Sequence, residues 1–394
     1  MFPIEIAPSH EKADKLILMK KLCLLFLVLS ACASKPQITK PKKFTSIPCQ
    51  QSFSDGVFEP SDRQLNRVST LFEMGCFNEV IVLGSYIRSH HRDKFYSITS
   101  EIGELATPEG TLTEYILESY ERSYLSLLIS LSYLNLNDEN AAQVELRQSM
   151  TDEQAQLYNH GNDPVITVLH ATLWTRFDPQ VARPYWKRLS EDKKSSKAVV
   201  KFAQARLSEI DRSGSSAKRN WKVYGIGTLP GLTWEADFIK REKGPYRISA
   251  TGGFPKTCSS DGDLIVPTSS WIDKLSRRYE VDYHPILYTK SLLRVPFGVT
   301  YGILGVSAGV AVGFSGCILA SQIRADELCR AAIHGGGGII MASGDLVEYT
   351  LGPDLRHWEN LPNAFYIVDE SSGENKECLS SQDKENMVLR ALSR

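Results

Sequence analysis

No two cysteines of this 394-residue chain stand in a C-x-x-C pair, and none of its eight histidines belongs to an H-E-x-x-H pair. The thioredoxin, zinc-ribbon and zincin signatures are therefore excluded. The adjacent His90 and His91 would point about 100° apart on a helix, too far to chelate one ion together. They are expected on a solvated face. An excess of one charge is also missing: 45 Lys and Arg face 46 Asp and Glu, a net charge of −1. That balance gives a polyanion no footing, and nucleic acid is set aside as a partner. A dinucleotide fingerprint is absent too, since "YGIGTLPG", beginning at Tyr224, has the wrong glycine spacing and reads as a turn. No cofactor is implied.

What the chain does have stands near its N-terminus. "MKKLCLLFLVLSACASK" begins at Met19 with two lysines, continues through an apolar core from Leu22 to Leu29, and ends at Leu29-Ser30-Ala31-Cys32. A positive start, a short apolar middle and small residues at the cut site form an export signal. The core is too short for a bilayer-spanning helix of ~20 residues. Leu-Ser-Ala-Cys resembles the lipobox of bacterial lipoproteins, and that resemblance implies a lipid on Cys32. Residues 1–18 then read as a non-native upstream start, 19–31 as the signal peptide, and Cys32–Arg394 as the mature chain. Ala33 and Ser34 bring no acidic residue behind the cysteine, which favours a lipid anchor in the outer membrane, facing the periplasm. Multiple acyl chains on one residue hold stably to a membrane.

Six cysteines remain once Cys23 leaves with the signal and Cys32 is modified: Cys49, Cys76, Cys258, Cys317, Cys329 and Cys378. In an oxidising compartment some can pair, and Cys49 with Cys76 is the favoured pair. Buried free thiols are the alternative reading.

Residues 32–60 are rich in Pro, Lys and Ser without periodicity, as a lipidated tether would be. From Ser61 the pattern turns helical. Val80, Ile81, Leu83 and Ile87 recur at helical spacing, and so do Tyr124, Leu127, Leu128, Leu131 and Leu134 before an Asn137-Asp138 turn. A fainter copy follows, in which Trp174, Tyr185 and Trp186 read as core. Helical hairpins of this kind cannot bury their apolar faces alone and must stack. They resemble degenerate tetratricopeptide repeats over 61–212. Residues 213–219 form a linker. Over 220–394, "WKVYGIGTLPGLTWEADFI", "YRISATGG", "DLIVPTSSW", "DLVEYT" and "AFYIVDES" carry the β-branched and aromatic bias and the Gly/Pro punctuation of strands. The fold class is α+β: stacked TPR-like hairpins, then a smaller β-rich domain with a glycine-rich helical insert.

Three places make the whole chain similar to bacterial tetratricopeptide-repeat lipoproteins of uncharacterised function. One is the lipobox at Cys32. Another is Tyr120-Glu121-Arg122 with the hairpin ending in Val144-Glu145-Leu146-Arg147, where Glu121, Arg122, Glu145 and Arg147 are expected to form a charged network. The third is "PDLRHWENLPNAFYI", carrying Asp354, Arg356, Trp358, Leu361 and Pro362. The likeness implies architecture more than activity.

The insert, Val295 to Ile323, is 29 residues without a charge, flanked by Arg294 and Arg324. Gly298, Gly302, Gly305, Gly309, Gly313 and Gly316 fall within about 80° of one helical face. Such glycines need close backbone approach to a partner, as on packed membrane helices. Two readings stand: a transmembrane helix over 295–323, or a packed helix or hairpin inside the envelope domain. The second keeps the strands on either side of the insert in one compartment.

"GVSAG" (Gly305 to Gly309) matches a nucleophile elbow on Ser307, and "HGGGG" from His334 looks like an oxyanion loop. The order along the chain is wrong and no parallel α/β pattern surrounds them, so a serine esterase is the weakest reading. The leading one is a non-enzymatic interaction or assembly scaffold in the cell envelope, bound to the membrane by its lipid and to envelope proteins by its helices. The alternative is a membrane-inserting, channel-like or secretion-associated oligomer built on the glycine face.

Overall fold

A computed structural model describes residues 40–41, 43–57, 59–91, 115–154, 163–236, 246–260, 262–280, 285–322, 330, 332–341, 353–369, 378 and 389–391. Cys32, the signal peptide, "DLVEYT" and Cys329 lie outside these residues, as do the side chains of Cys317, Gly298, Gly302 and Gly316. Helix and antiparallel sheet are mixed in the α+β manner.

The fold begins earlier than the tether boundary at residue 60. Helix α1 (Ile47–Gly56) lies inside it, with the Ser46 side chain accepting from the Cys49 amide and Pro48 in the first turn, where its missing N–H costs nothing. Composition hid this helix because its anchor is covalent: Cys49 is joined to Cys76 across 27 residues. Glu79 adds a second tie, accepting from the Thr45 amide at 2.6 Å and its hydroxyl at 2.9 Å.

Helical hairpins follow. Helices α2 (Ser61–Glu73) and α3 (Phe77–His91) turn at Gly75, and α4 (Ser119–Asn135) and α5 (Glu139–Gln154) turn at Asn137, which sits at φ 62°. Asn tolerates that left-handed conformation better than other side-chain-bearing residues. Helices α6 (Pro164–Phe177) and α7 (Pro179–Glu191) are capped by Asp163 and Asp178, each followed by proline, and α8 (Lys197–Ser213) by Ser196. Successive helices pack from α1 to α5 and from α6 to α8, α6 meets α4, and α4 is buried along almost its whole length. Trp174, Tyr185 and Trp186 are core. His91 is buried too, against the expectation of a solvated face.

Strand β1 (Trp221–Ile226) opens a five-stranded antiparallel sheet of order β4-β5-β6-β1-β7, with β4 Cys258–Ser259, β5 Asp263–Pro267, β6 Ala364–Asp369 and β7 Leu389–Ala391. Strand β6 lies at its centre and is buried throughout, which explains its unbroken apolar run Ala-Phe-Tyr-Ile-Val. Tyr366 sits opposite both Tyr224 of β1 and Ile265 of β5. A second disulfide, Cys258–Cys378, closes the core around Ile226, Ile265 and Val368. Strands β2 (Leu232–Ala236) and β3 (Tyr246–Ala250) form a separate hairpin.

Helices α9 (Ser269–Arg277) and α10 (Pro285–Gln322) lie between β5 and β6 in the chain. Because β5 and β6 are hydrogen-bonded neighbours, an odd number of membrane crossings between them is excluded. A helical segment over 332–341 returns along α10 instead. Among the described residues, no helix is long and apolar enough to cross a membrane. A single crossing by 295–323 is thus incompatible with the pairing of β5 and β6. Hairpins and sheet belong to one compact unit, residues 40–394.

Candidate functional site

The motif residues of α4 and of the C-terminal segment, more than 230 positions apart, meet in one buried junction. Its base is the first turn of α4, where Glu118 and Glu121 sit fully enclosed. A buried carboxylate needs donors or a cation, and each finds them. Glu121 accepts from the Glu118 amide at 2.8 Å, from the Trp358 amide at 2.9 Å and from the Tyr115 hydroxyl. Glu118 accepts from Arg278 Nε at 2.7 Å. One turn earlier in α9, Lys274 Nζ lies 2.7 Å from Asp163, which also caps α6.

Aromatic rings fill the remaining space. Tyr120 stacks on Trp271 with ring centroids 5.1 Å apart, and Tyr124 contacts Trp271, Trp358 and Phe365. Trp358 reaches α2, donating from Nε1 to Ser69 Oγ at 2.9 Å. The segment before it is held by a fork: Arg356 pairs with Asp354 at 2.8 Å and lies over the Tyr115 ring, while the Asp354 amide donates to the Tyr279 hydroxyl at 2.7 Å. Leu361 is fully buried. Pro362 packs on Gly225, where an added Cβ would stand 2.9 Å from its ring.

The electrostatics follow from burial. Loss of hydration pushes the Glu121 carboxyl up to about 7, and its three donors hold it from rising further. Burial and then the Glu121 charge push the Tyr115 hydroxyl well above its ordinary range. Tyr120 is raised for the same first reason. Titratable groups this perturbed often mark chemistry, but here all are enclosed: Tyr115 and Glu121 are bonded to each other, and the buried Tyr120 hydroxyl has no hydrogen-bond partner among the described residues. The junction acts as a lock between the helical stack and the sheet, and it occupies with the chain's own Trp358 the face that α2 and α4 would otherwise present.

The other named residues are placed differently. Glu145 pairs with Arg88 of the preceding hairpin, and Arg147 lies over the Trp174 ring, 5.5 Å from its centroid. The network expected among Glu121, Arg122, Glu145 and Arg147 is therefore not formed. The reason is direction: Glu121 points to the C-terminal segment, and Glu145 points back to α3. Ser307 lies inside α10 and His334 inside the helical segment 332–341, so neither the sharp strand-to-helix turn nor the oxyanion loop of the esterase reading is present. Gly309 faces the same chain: a Cβ there would stand 2.6 Å from the Gly336 carbonyl. Gly313 looks toward Ala332 and Ile333.

Ligand atoms of Cys49, Cys76 and Glu79 lie within 4.8 Å of one another. With the two sulfurs bonded to each other, no thiolate is free to bind a metal. Sequence reasoning missed Glu118, Lys274, Arg278 and Asp163. The available signal was a pair of acids heading a helix whose residues from Ser123 to Leu134 are all Leu, Ile, Tyr or Ser.

No family model, no curated protein and no solved structure matches this chain.

Proposed function

We propose that this chain is a lipid-anchored cell-envelope protein, acting as a non-enzymatic interaction or assembly scaffold. The observation that carries the reading is the pair of disulfides, Cys49–Cys76 and Cys258–Cys378. Bonds of that kind persist in oxidising compartments and are rare in the cytosol, which agrees with a lipobox at Cys32. The first of them sits only 17 residues after Cys32 and fixes the point at which the tether enters the fold.

The scaffold role draws on the succession of antiparallel helical hairpins from α2 to α8, read as degenerate tetratricopeptide-like repeats. Stacked hairpins build extended surfaces suited to protein segments. The face filled by Trp358 is closed to a guest, so the outer faces of the stack carry the contacts with other envelope proteins.

Feeding an alkyne fatty acid to cells that express the chain tests the anchor. Label on the mature chain, lost in Cys32→Ser, is expected in the outer-membrane fraction. An unlabelled full-length polypeptide in the cytosol would overturn the compartment and, with it, the scaffold role.

A further inference from the structure

Helix α10 is rooted in the fold at its base, where Leu287, Lys290 and Ser291 are buried. From Leu292 to Ser315, every residue of described burial is exposed except Gly305, Gly309 and Gly313. Gly309 and Gly313 meet the return segment at Gly336, Ala332 and Ile333. Past its base, this hairpin is covered only where its two arms touch.

What it exposes is apolar on every side. Ile303, Leu304 and Val312 are 62%, 60% and 44% exposed. At ~100° per residue, Leu304 lies about 100° round the helix from Ile303, and Val312 about 180°. The remaining face is the glycine contact. On the return arm, Ile333 and Met341 are 56% and 73% exposed. Neither Val295–Ile323 nor residues 331–344 contain an Asp, Glu, Lys or Arg. A helix that rests one face on protein keeps charged and polar residues on the other, whereas one that is apolar all round is buried on all sides.

We infer that this hairpin embeds in the hydrocarbon–headgroup boundary of a phospholipid bilayer without crossing it. A protein partner covers one side of a helix and leaves a polar rim in water; no side of α10 is fitted for water, and lipid wets all of them at once. The arms also associate by close backbone approach at Gly309 and Gly336, the packing that helices use where no hydrophobic drive pushes them together. Three features keep the hairpin from crossing. The pairing of β5 with β6 forbids an odd number of passages. Residues 331–344 would rise only ~21 Å as a helix, short of the ~30 Å of a bilayer core, and uncharged stretches of that length suit an interfacial segment. Between the arms the sequence carries Arg324, Asp326, Glu327 and Arg330, charges that stay at headgroup level because hydrocarbon receives them poorly. Arg294 and Arg324 bracket the longer uncharged run, and long cationic side chains at such positions reach out to the polar layer.

The inference holds whether or not Cys32 is acylated, and the test leaves that residue out so that the two readings fail separately. Residues 33–394, exported behind a cleavable signal, contain the whole compact unit 40–394 and no acyl chain. This protein should float with phosphatidylethanolamine–phosphatidylglycerol vesicles in a density gradient. Ile303→Glu/Val310→Glu and Leu304→Glu/Val312→Glu, on different faces, should each lower the floating fraction at least fivefold with an unchanged circular-dichroism spectrum. Should the charged variants fold poorly, Ile303→Trp and Leu304→Trp read the same contact: vesicles with brominated acyl chains should quench the added fluorescence of both. A parent protein that does not float overturns the inference, as does flotation that survives either Glu pair in a folded variant. A dimer formed without vesicles and lost with one Glu pair alone would also overturn it and assign the hairpin to a second copy.

Discussion

Arg278, the C-cap residue of α9, donates through Nε to Glu118, 2.7 Å away and 160 residues earlier, with each side chain only 3% exposed. The pair joins the helical stack to the sheet's own helix. Removing one partner of a buried pair leaves an uncompensated charge, which costs about 3–5 kcal/mol. Arg278→Met is therefore expected to lose stability on that scale in urea denaturation. Arg278→Met combined with Glu118→Gln should recover part of the loss, because no naked charge remains. A double-mutant cycle over the pair measures the coupling directly.

Glu121 gives the protein a pH dependence of opposite sign to that of an ordinary salt-bridged acid. Its carboxyl stands at about 7 in the fold, against 4.5 for the unperturbed group, because burial disfavours the charged form. Below about pH 4.5 the group is neutral in both states and the fold bears no penalty. As pH rises through 7 the unfolded chain has already ionised, and this contribution to stability is lost, a few kcal/mol in all. Glu121→Gln should flatten the fall in unfolding free energy between pH 5 and pH 8, measured by denaturant titration at each pH. An equal slope in both proteins would refute the assignment.

Much of the architecture was legible, and the reason is local. Leu127, Leu128, Leu131 and Leu134 announce α4 by their spacing, and the β-branched runs announce β1, β5 and β6, because period and propensity act within a few residues. What escaped depends on distant contacts. Helix α1 sits in a Pro- and Lys-rich stretch and is fixed by Cys76 and Glu79. The motif residues were visible as words, but their meeting at Glu121 rests on a hydrogen bond spanning 237 positions. His91 looked solvated because its burial comes from tertiary packing and not from helix periodicity.

The two disulfides should differ in weight. Cys49–Cys76 closes a separation of 27 residues and Cys258–Cys378 one of 120. In the chain-entropy account these restrict the unfolded state by about 3.5 and about 5 kcal/mol. Cys258→Ala/Cys378→Ala should therefore lower the melting midpoint more than Cys49→Ala/Cys76→Ala. Calorimetry of the two double variants decides it, and a reversed order would show that native-state packing around Cys49 outweighs loop length.

The glycines of the return segment separate a close approach from mere helix-breaking composition. At Gly336 an added Cβ would collide with the Gly309 carbonyl, whereas at Gly337 nothing lies within 4 Å. Alanine is favoured over glycine inside a helix by about 1 kcal/mol. Gly337→Ala should thus stabilise the hairpin by roughly that amount. Gly336→Ala must push the two arms apart, an overpacking cost of typically 1–3 kcal/mol that offsets or exceeds the same gain. Hydrogen exchange over residues 332–341 reads both effects in one experiment: slower at Gly337→Ala, faster at Gly336→Ala. If both variants slowed exchange equally, the backbone contact between Gly309 and Gly336 would not be what holds the arms together.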